Sequence, residues 1–467
     1  MSNKLNVWDI AALYKKSNPD LKYCTVNKCF YNYDYTKKVW YIISVEDIKF
    51  MLLGFIKNKY PKLYKSFNPQ SVEGVIILLQ EKNFSMPRAK NEANSSGLLI
   101  SFTNCVLNCK TKETFKHKPG FYITHTIRCE YDPNAVIVNT PMAEFLTHIC
   151  NNNSNTLKVL RACLYLILTN NLTYQVALYI YGPAGTCKST LINILVHLLG
   201  PSGSITTSLR ALQSRFGISP LKDKLLLILS ELPLILGAEP QIIKNIIGGD
   251  IIPIEEKYKT PTQIYASFFL IITSNTLWNL TNISTGMARR FVYMPFFNKP
   301  KNKILDLFSF SSDFKAKGIL LAYLPAFVNW IINCPSQCLE LLSQGGEIAT
   351  SLINPDSLVT TNPIKAWVQE RLVQDSESTI QIGGNGSGIE TLYGNYISWT
   401  KNFNGDVGKV NFNQFSSLLL NVLSSMDWTV EKKRVTLGNV IRGVRFADSN
   451  VNTTHNFLQI TEEDFIN

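Results

Sequence analysis

The sequence lacks paired cysteine knuckles. Its ten cysteines are scattered, and the closest pairs, such as Cys105 and Cys109, are separated by three or four residues. A structural zinc site typically needs two pairs at tighter spacing, so we expect no zinc centre. Several cysteines, for example Cys163, lie in apolar stretches that are typical of small buried hydrophobic residues. This usage predicts a reducing compartment.

Long hydrophobic runs and a leader segment are also missing. The longest apolar run, Ala162 to Leu168, is far shorter than the ~20 residues of a membrane span. Asp9 interrupts the weakly apolar start, which does not resemble a signal peptide. We therefore expect a soluble protein without a membrane partner. The abundance of Lys, Asn and Ile is typical of an AT-rich genome, which suggests a plastid or other organelle stroma, or the host cell of a virus or plasmid.

Acidic residues are in the minority. The chain has 34 acidic and 46 basic residues, a formal charge of +12, which indicates a polyanionic partner, nucleic acid before a membrane surface. Apolar residues make up 45% of the chain and charged residues 17%, enough material for large cores. This balance excludes a wholly disordered chain, a collagen-like repeat and a small disulfide scaffold.

The 467 residues predict about three domains. Alternating strand and helix patterns near the middle predict an α/β fold with a parallel sheet. We expect an α+β domain at 1–140, an ATPase core with a leading helical segment at 141–310, and a helical extension at 311–374. A Gly- and Ser-rich stretch predicts a linker at 375–388. Two helices and a β-hairpin then predict a winged-helix domain at 389–467.

The first 70 residues combine lysine with aromatic residues. Within them, the segment from Tyr31 to Tyr41 carries several aromatic side chains and two lysines. One interpretation is a strand pair with a partly buried aromatic face. The other is a set of aromatic platforms on which nucleic-acid bases stack. The sequence leaves both open.

A phosphate-binding loop is the strongest local motif. An apolar strand from Val176 runs into a glycine-bearing turn and then a helix that starts at Lys188, the context that a Walker A motif requires. Main-chain N–H groups of this turn would surround nucleotide phosphates, Lys188 would contact the β and γ phosphates, and the Ser189 hydroxyl would bind Mg²⁺. The predicted ATP-binding residues are Gly182, Pro183, Ala184, Gly185, Thr186, Cys187, Lys188, Ser189 and Thr190.

Cys187 departs from this motif, because it stands where the template has glycine. A side chain at this position adds bulk where the main chain approaches the phosphates. A thiol beside a lysine and a helix N-terminus should also have a lowered pKa and react readily. The sequence therefore leaves open whether the site hydrolyses ATP or only binds it.

Polar residues follow further apolar strands downstream. Glu231 ends the strand from Leu225, at the edge where ligands bind in parallel sheets, and could orient water and hold the Mg²⁺ shell. Asn275 ends a second such strand. Arg289 and Arg290 precede a third strand.

In order and spacing, these motifs resemble the superfamily 3 helicases of the poxvirus, phage and plasmid replication type, the helicase part of the primase-helicase family. The resemblance covers residues 30–446. It implies an AAA+-like P-loop motor that forms a hexameric ring, with ATP bound between subunits. Lys188, Ser189 and Glu231 would act from one subunit, Asn275 would sense the γ-phosphate, and Arg289 or Arg290 would reach the nucleotide of the neighbouring subunit.

The resemblance also implies the nucleic-acid contacts, on single-stranded and duplex DNA. Lys257 and Lys259 fall where the family has its pore hairpin and would grip single-stranded DNA, although a solvated turn is the other interpretation. The basic hairpin edge at Lys432, Lys433 and Arg434 would touch duplex phosphates. No priming centre is visible, so a separate primase or polymerase is expected. The alternative function is a DNA-binding scaffold that binds nucleotide but has lost hydrolysis through Cys187.

Overall fold

A computed structural model describes the chain over most of its length. The described residues are 5–24, 29–65, 67–80, 98–230, 241–256, 262–275, 289–300, 306–343, 345–346, 349–350, 363–384, 386–401, 410, 412–426, 428–435, 438–447 and 458–466. Three residues of the predicted site, Glu231, Lys257 and Lys259, lie outside these ranges.

Helices and strands alternate along these ranges. The helices are α1 Val7–Ser17, α2 Val45–Lys59, α3 Pro61–Tyr64, α4 Pro69–Leu79, α5 Pro141–Ile149, α6 Ser154–Thr169, α7 Lys188–Gly203, α8 Leu209–Leu212, α9 Gln241–Gly248, α10 Leu324–Ile332, α11 Ser336–Ser343, α12 Pro363–Arg371, α13 Leu392–Thr400 and α14 Phe412–Ser425. The strands are β1 Leu21–Cys24, β2 Cys29–Asp34, β3 Val39–Ile43, β4 Leu99–Phe102, β5 Val106–Asn108, β6 Thr114–Phe115, β7 Thr126–Ile127, β8 Ala177–Tyr181, β9 Ser204–Thr207, β10 Leu226–Ser230, β11 Ile251–Ile254, β12 Thr262–Tyr265, β13 Phe269–Ser274, β14 Phe291–Pro295, β15 Ser309–Phe310, β16 Ala316–Lys317, β17 Leu372–Gln381, β18 Glu431–Val435 and β19 Gly438–Phe446.

Five parallel strands form the central sheet, in the order β14–β8–β13–β10–β9. Alternate side chains of β8 enter two different cores: Leu178 and Ile180 pack on one face of the sheet, and Tyr179 and Tyr181 pack on the other. Because both faces are covered, β8, β10 and β14 are nearly continuous apolar runs in the sequence. The predicted α/β class with a parallel sheet is confirmed.

Residues 5–80 pack around a core of their own. The antiparallel sheet β1–β2–β3 lies against α1, α2 and α4. The segment Tyr31–Tyr41 forms the β2–β3 hairpin, in which Tyr33 is paired with Trp40. Trp40 is buried while Tyr41 is 41% exposed, so the strand-pair interpretation of this segment is confirmed.

The predicted domain boundary at residue 140 does not match the packing. The sheet β6–β5–β4–β7 precedes this boundary, yet Phe102, Leu107 and Ile127 belong to the same hydrophobic core as the central sheet. The main-chain N–H of Arg128 also donates to the carbonyl of Leu198 in α7. These contacts are distant in sequence, and composition carries no sign of them. Residues 98–140 therefore pack as part of the central domain.

Helices are present in the predicted leading helical segment and in the predicted helical extension. α5 and α6 lie in the first, and α10 and α11 lie in the second after a 3₁₀ turn. Thirteen of the sixteen residues of α6 are buried, so this helix is central to the core. Within the described ranges no single helix is long and apolar enough to cross a membrane. Ile319–Ile332 and Ser336–Ser343 pass that test only as a pair bent by 68°.

The C-terminal domain has the element order helix, strand, two helices, strand, strand. Its antiparallel sheet runs β17–β19–β18, and Trp367, Tyr396 and Phe415 form its aromatic centre. The linker predicted at 375–388 is wrong in its first half, because β17 continues to Gln381 and pairs with β19. Similarly, α12 and the start of β17, predicted within the helical extension at 311–374, pack in this domain.

The last described residues return to the central domain. Phe465 is 6% exposed, and its ring centroid lies 5.9 Å from that of Trp330 in α10. Asp464 accepts a hydrogen bond of 2.7 Å from the hydroxyl of Ser154 and lies 3.3 Å from the Lys158 ammonium, both in α6. The domain predicted at 389–467 is therefore wrong at its end, since residues 458–466 pack on α6 and α10.

Replacement of Phe465 by alanine tests this attachment. Because the buried ring would leave a cavity beside Trp330, we expect the free energy of unfolding to fall by about 3 kcal/mol. Ile466→Ala is the matched control, since that side chain is 58% exposed and should change stability by less than about 0.5 kcal/mol. Urea denaturation followed by circular dichroism measures both. Equal losses in the two variants would contradict the packing described here.

Candidate active site at the carboxyl edge of the central sheet

A cleft of about 370 Å³ opens where the central parallel strands end. Lys188 and Ser189 of α7 form one side, and the ends of β10 and β13 form the other. We call it the sheet-edge cleft. Its described lining residues are Lys188, Ser189, Ile192, Asn193, Val196, Thr206, Ile228, Ser230, Thr273, Ser274 and Asn275.

The turn between β8 and α7 depends on two glycines. Gly182 has φ of +144°, and a Cβ there would lie 2.0 Å from the carbonyl oxygen of Phe296, so no side chain fits. Gly185 has φ of +83°, in the region that glycine adopts without strain. The hydroxyl of Thr186 donates to the carbonyl of Pro183 at 2.9 Å and closes the turn on itself.

Lys188, the first residue of α7, folds back over this turn. Its ammonium donates to the carbonyl oxygens of Gly182 and Pro183, at 2.5 and 2.8 Å. Burial lowers the pKa of Lys188 below its ordinary value, because the charged form loses hydration. Both described acceptors of this ammonium are neutral carbonyl oxygens. A bound anion would supply an opposite charge.

Cys187 takes the conformation of the glycine that it replaces. Its φ of +64° and ψ of +14° lie in the left-handed region, at the residue that caps the N-terminus of α7. Its side chain packs against the main hydrophobic core and is not among the described residues that line the sheet-edge cleft. The added bulk therefore lies beside the turn and not in the space where α7 begins.

The predicted reactivity of the Cys187 thiol is wrong in sign. Burial raises its pKa above the ordinary value, and a hydrogen bond with Thr190 offsets this only in part. Sequence reasoning placed the thiol beside a lysine and a helix N-terminus, which would stabilise the thiolate. The left-handed backbone instead directs the side chain toward the core, where desolvation disfavours the charge.

Other predicted residues meet at the same cleft. Asn275, directly after β13, is exposed and lines the cleft together with Ser230, the last residue of β10. Glu231 follows Ser230 in the sequence but lies outside the described residues. The sequence analysis missed Thr206 in β9 and Thr273 in β13 as cleft residues. The only signal for them was a hydroxyl side chain near the end of a strand, which is too common to single out.

Arg289 and Arg290 lie at the opposite edge of the sheet. The carbonyl of Arg290 accepts from the main-chain N–H of Ala177, at the start of β8, whereas the turn follows the end of that strand. Five strand residues, roughly 17 Å, separate the two edges. Arg289 is exposed, and the guanidinium of Arg290 donates to the carbonyl of Lys244 at 3.4 Å. Neither arginine therefore belongs to the cleft of its own subunit.

Two further predicted regions carry basic residues. Lys257 and Lys259 lie outside the described residues, but β11 and β12 on either side of them pair as an antiparallel hairpin. Lys432, Lys433 and Arg434 are exposed on β18, the edge strand of the C-terminal sheet.

Two of the three basic residues of β18 have polar partners within the protein. Lys432 donates to the hydroxyl of Ser416 at 2.8 Å, and Lys433 lies 2.9 Å from Glu431. Arg434 has no ion-pair partner among the residues that the structure describes. In the described ranges, no group of three or more His, Cys, Asp or Glu side chains could hold a metal ion.

Comparisons with known proteins give two family matches and a set of similar structures. Residues 10–151 match the family described as D5 N terminal like, and residues 180–290, from the end of β8 to the arginine pair, match a family of unknown function, DUF5906. Each match covers less than a third of the chain. The first supports a relationship with the primase-helicases of phages and viruses.

The solved structures that are similar include two of the NrS-1 C-terminal region. Its apo structure has 11% sequence identity and a TM-score of 0.45, and covers 95% of this chain and 100% of that one. Its A form apo structure has 10% identity, a TM-score of 0.44 and the same coverage.

Alkylation of Cys187 by iodoacetamide tests the position of its side chain. Because burial raises the thiol pKa, the rate at pH 7 should be below that of free glutathione and should still be increasing above pH 9. Mass spectrometry of the Cys187 peptide measures this rate. Cys150, fully buried in the same core, is the internal control and should react only after unfolding. Rapid modification of Cys187 at neutral pH would contradict the half-buried position against the core.

Proposed function

We propose that the protein is an ATP-driven translocase on single-stranded DNA, acting in replication of the phage, viral or plasmid type. The observation that carries the proposal is the turn between β8 and α7. A non-glycine residue, Cys187, is held there in a left-handed conformation so that α7 begins at the mouth of the sheet-edge cleft. Such strain is maintained only where the surrounding structure requires it.

ATP would place its phosphates over this turn. The first N–H groups of α7 have no partners within the helix and favour a negative charge at its N-terminus. In the phosphate-bound state, Lys188 would leave the carbonyls of Gly182 and Pro183 for the β and γ phosphates. A negative partner would also restore the lysine pKa that burial lowers.

The polar residues of the cleft would hold the ion and the water. The hydroxyl of Ser189 would be a ligand of Mg²⁺, which keeps several of its own waters and would neutralise phosphate charge. Asn275 would orient the attacking water or contact the γ-phosphate, with Ser230 and Thr273 beside it. Glu231 would act as the base, as expected from its position after β10.

The arginine pair would complete the site of the next subunit in a ring. Arg289 and Arg290 lie at the amino edge of the sheet, away from the cleft of their own subunit. An exposed arginine at that edge can reach a neighbouring copy, where it would stabilise the transferred phosphoryl group. Such an arginine increases the rate by about 10³-fold or more in related reactions.

DNA contacts would come from two basic regions. Lys257 and Lys259, which lie between β11 and β12 in the sequence, would grip single-stranded phosphates. The C-terminal domain, with three helices and a three-stranded sheet, would act as a winged-helix domain. Its edge strand β18 would touch duplex phosphates through Arg434 and, by exchange of their internal contacts, through Lys432 and Lys433.

Replacement of Lys188 by alanine should abolish ATP hydrolysis stimulated by single-stranded DNA. Lys224→Ala is a matched control at the other end of α7. Its ammonium also donates to two main-chain carbonyls, those of Pro201 and Ser202, and burial lowers its pKa as well. We expect the control to keep its activity within about twofold, because it lies outside the cleft. Phosphate release measures both variants.

Cys187→Gly separates hydrolysis from binding alone in the same assay. If the proposal holds, the unaltered protein hydrolyses ATP, and this variant has comparable activity because the backbone conformation stays the same. Activity that appears only in Cys187→Gly would favour the non-hydrolysing scaffold.

Mixing two inactive variants tests catalysis across subunits. One variant is Lys188→Ala, and the other carries Arg289→Ala with Arg290→Ala. In a mixed ring, some interfaces combine an intact turn from one subunit with intact arginines from its neighbour. We therefore expect hydrolysis to reappear on mixing, to about a quarter of the normal rate if subunits mix randomly and one interface suffices. No recovery in rings that light scattering shows to be mixed would contradict a shared site.

A further inference from the structure

A second and larger cleft, of about 650 Å³, lies on the far side of α7. It is formed by the β2–β3 turn of the N-terminal domain, the β4 and β7 region, and residues 199–202 at the end of α7. We call it the α7-end cleft. The helical part of α7 from Lys188 to Leu199 spans roughly 18 Å. The two clefts therefore lie at opposite ends of one helix.

Exposed cations line this cleft from two sides. Lys37 and Lys38 belong to the β2–β3 turn, and Arg128 follows β7. Lys37 lies 3.6 Å from Asp34. Lys38 and Arg128, by contrast, form no ion pair with any residue in the described part of the chain. Two cations that form no ion pair within the described part of the chain favour an anionic ligand.

The position of Arg128 is built into the fold. Gly200 interrupts α7 with φ of +66°, and a Cβ on this residue would lie 2.9 Å from the Cδ of Arg128. Because Gly200 has no side chain, the aliphatic part of Arg128 has room to cross the end of α7. Its main-chain N–H is also fixed to the carbonyl of Leu198. The cation is therefore held against the end of the helix whose other end carries Lys188.

Aromatic rings form the base of the α7-end cleft. The indole N–H of Trp40 donates to the carbonyl of Pro119 at 2.9 Å, and the hydroxyl of Tyr31 donates to Asp223 at the same distance. Both side chains are buried and held in place, while Tyr41 on the same strand as Trp40 is 41% exposed. Tyr41 therefore offers the accessible ring, on which any nucleobase can stack, while the buried Trp40 and Tyr31 hold the floor of the cleft in place.

The remaining titratable groups of the cleft add little opposing charge. Asp223, the only acidic residue among its described lining, accepts from the Tyr31 hydroxyl, and burial raises the pKa of its carboxyl group. Burial lowers the pKa of His117, whose ring also contacts the carbonyl of Phe102 at 2.8 Å. The described lining therefore holds three cations, Lys37, Lys38 and Arg128, and one acidic residue, which is held by Tyr31.

We propose that the α7-end cleft binds a nucleotide unit of single-stranded nucleic acid. Lys38 and Arg128 contact backbone phosphates, and a base stacks on the exposed ring of Tyr41. A duplex fits this arrangement poorly because its bases are stacked inside and only its phosphates face outward. The inference assumes that the protein acts on nucleic acid, as proposed above, and it adds a second contact at the other end of α7.

Binding of a fluorescein-labelled oligothymidylate of about 12 nucleotides to the full chain tests the proposal. We expect Lys38→Gln with Arg128→Gln to weaken binding about tenfold, and the slope of log affinity against log salt to fall by about 1.4. The matched control is Lys62→Gln with Lys65→Gln, which removes two exposed lysines of the same domain outside the cleft. It should change affinity less than twofold. Fluorescence anisotropy at several salt concentrations measures both.

Equal effects of the two double variants, or no effect of either, would overturn the proposal.

Photocrosslinking of the unaltered protein with a 5-iodouracil strand gives a readout that does not depend on a variant folding. Crosslinks to the peptide with Tyr31, Trp40 and Tyr41 support the proposal, and crosslinks confined to other peptides overturn it. A third test uses the Lys188→Ala variant, with thymidine monophosphate and the oligonucleotide as separate ligands. If the monophosphate binds through Lys38 and Arg128 and the oligonucleotide does not bind, the proposal is also overturned. ATP hydrolysis is measured in a separate assay. If the protein does not hydrolyse ATP, the binding and crosslinking results still test this proposal.

Discussion

One close backbone contact fixes the candidate active site. At Gly182 the main chain leaves β8 so near the carbonyl of Phe296 that no Cβ can be accommodated, and the N–H of Phe296 donates to Tyr181 at 2.7 Å. The neighbouring strand β14 thereby anchors the start of the turn. The left-handed residue Cys187 then ends the turn and points the first N–H groups of α7 at the sheet-edge cleft. The geometry of the cleft therefore depends on main-chain packing more than on the chemistry of any side chain.

The site and the sheet were largely predictable because their signals are local. An apolar strand, a glycine-bearing turn and a helix that starts at Lys188 lie within about 20 residues, and the polar ends of β10 and β13 follow the general rule for parallel sheets. The orientation of Cys187 was not predictable from its neighbours, because it depends on the sign of φ. The sequence gives the residue types around the thiol but not the side of the turn on which it packs.

Errors in the domain plan came from contacts between distant segments. Residues 375–381 have the polar composition of a linker, yet Asp375 and residues 379–381 pair with β19, 59 to 68 residues later. β17 is an edge strand with one exposed face and therefore carries few apolar residues. For this reason its composition predicts a loop. In the same way, Arg161 is buried in α6 and donates to the carbonyl of Trp330. No helical period reveals that such a charged residue lies inside the core.

Because the last described residues pack on the central domain, the C-terminal domain is an insertion between two segments of that domain. Its described part runs from Pro363 to Ala447, and Leu458 is again close to α6, where its carbonyl accepts from the N–H of Ser154. Eleven peptide units join Ala447 to Leu458, and a fully extended chain of that length spans at most about 40 Å. The separation between Ala447 and Leu458 is therefore limited to about 40 Å, which bounds the distance from the end of β19 to α6. The C-terminal domain is therefore joined to the central domain at two points along the chain, before α12 and after β19.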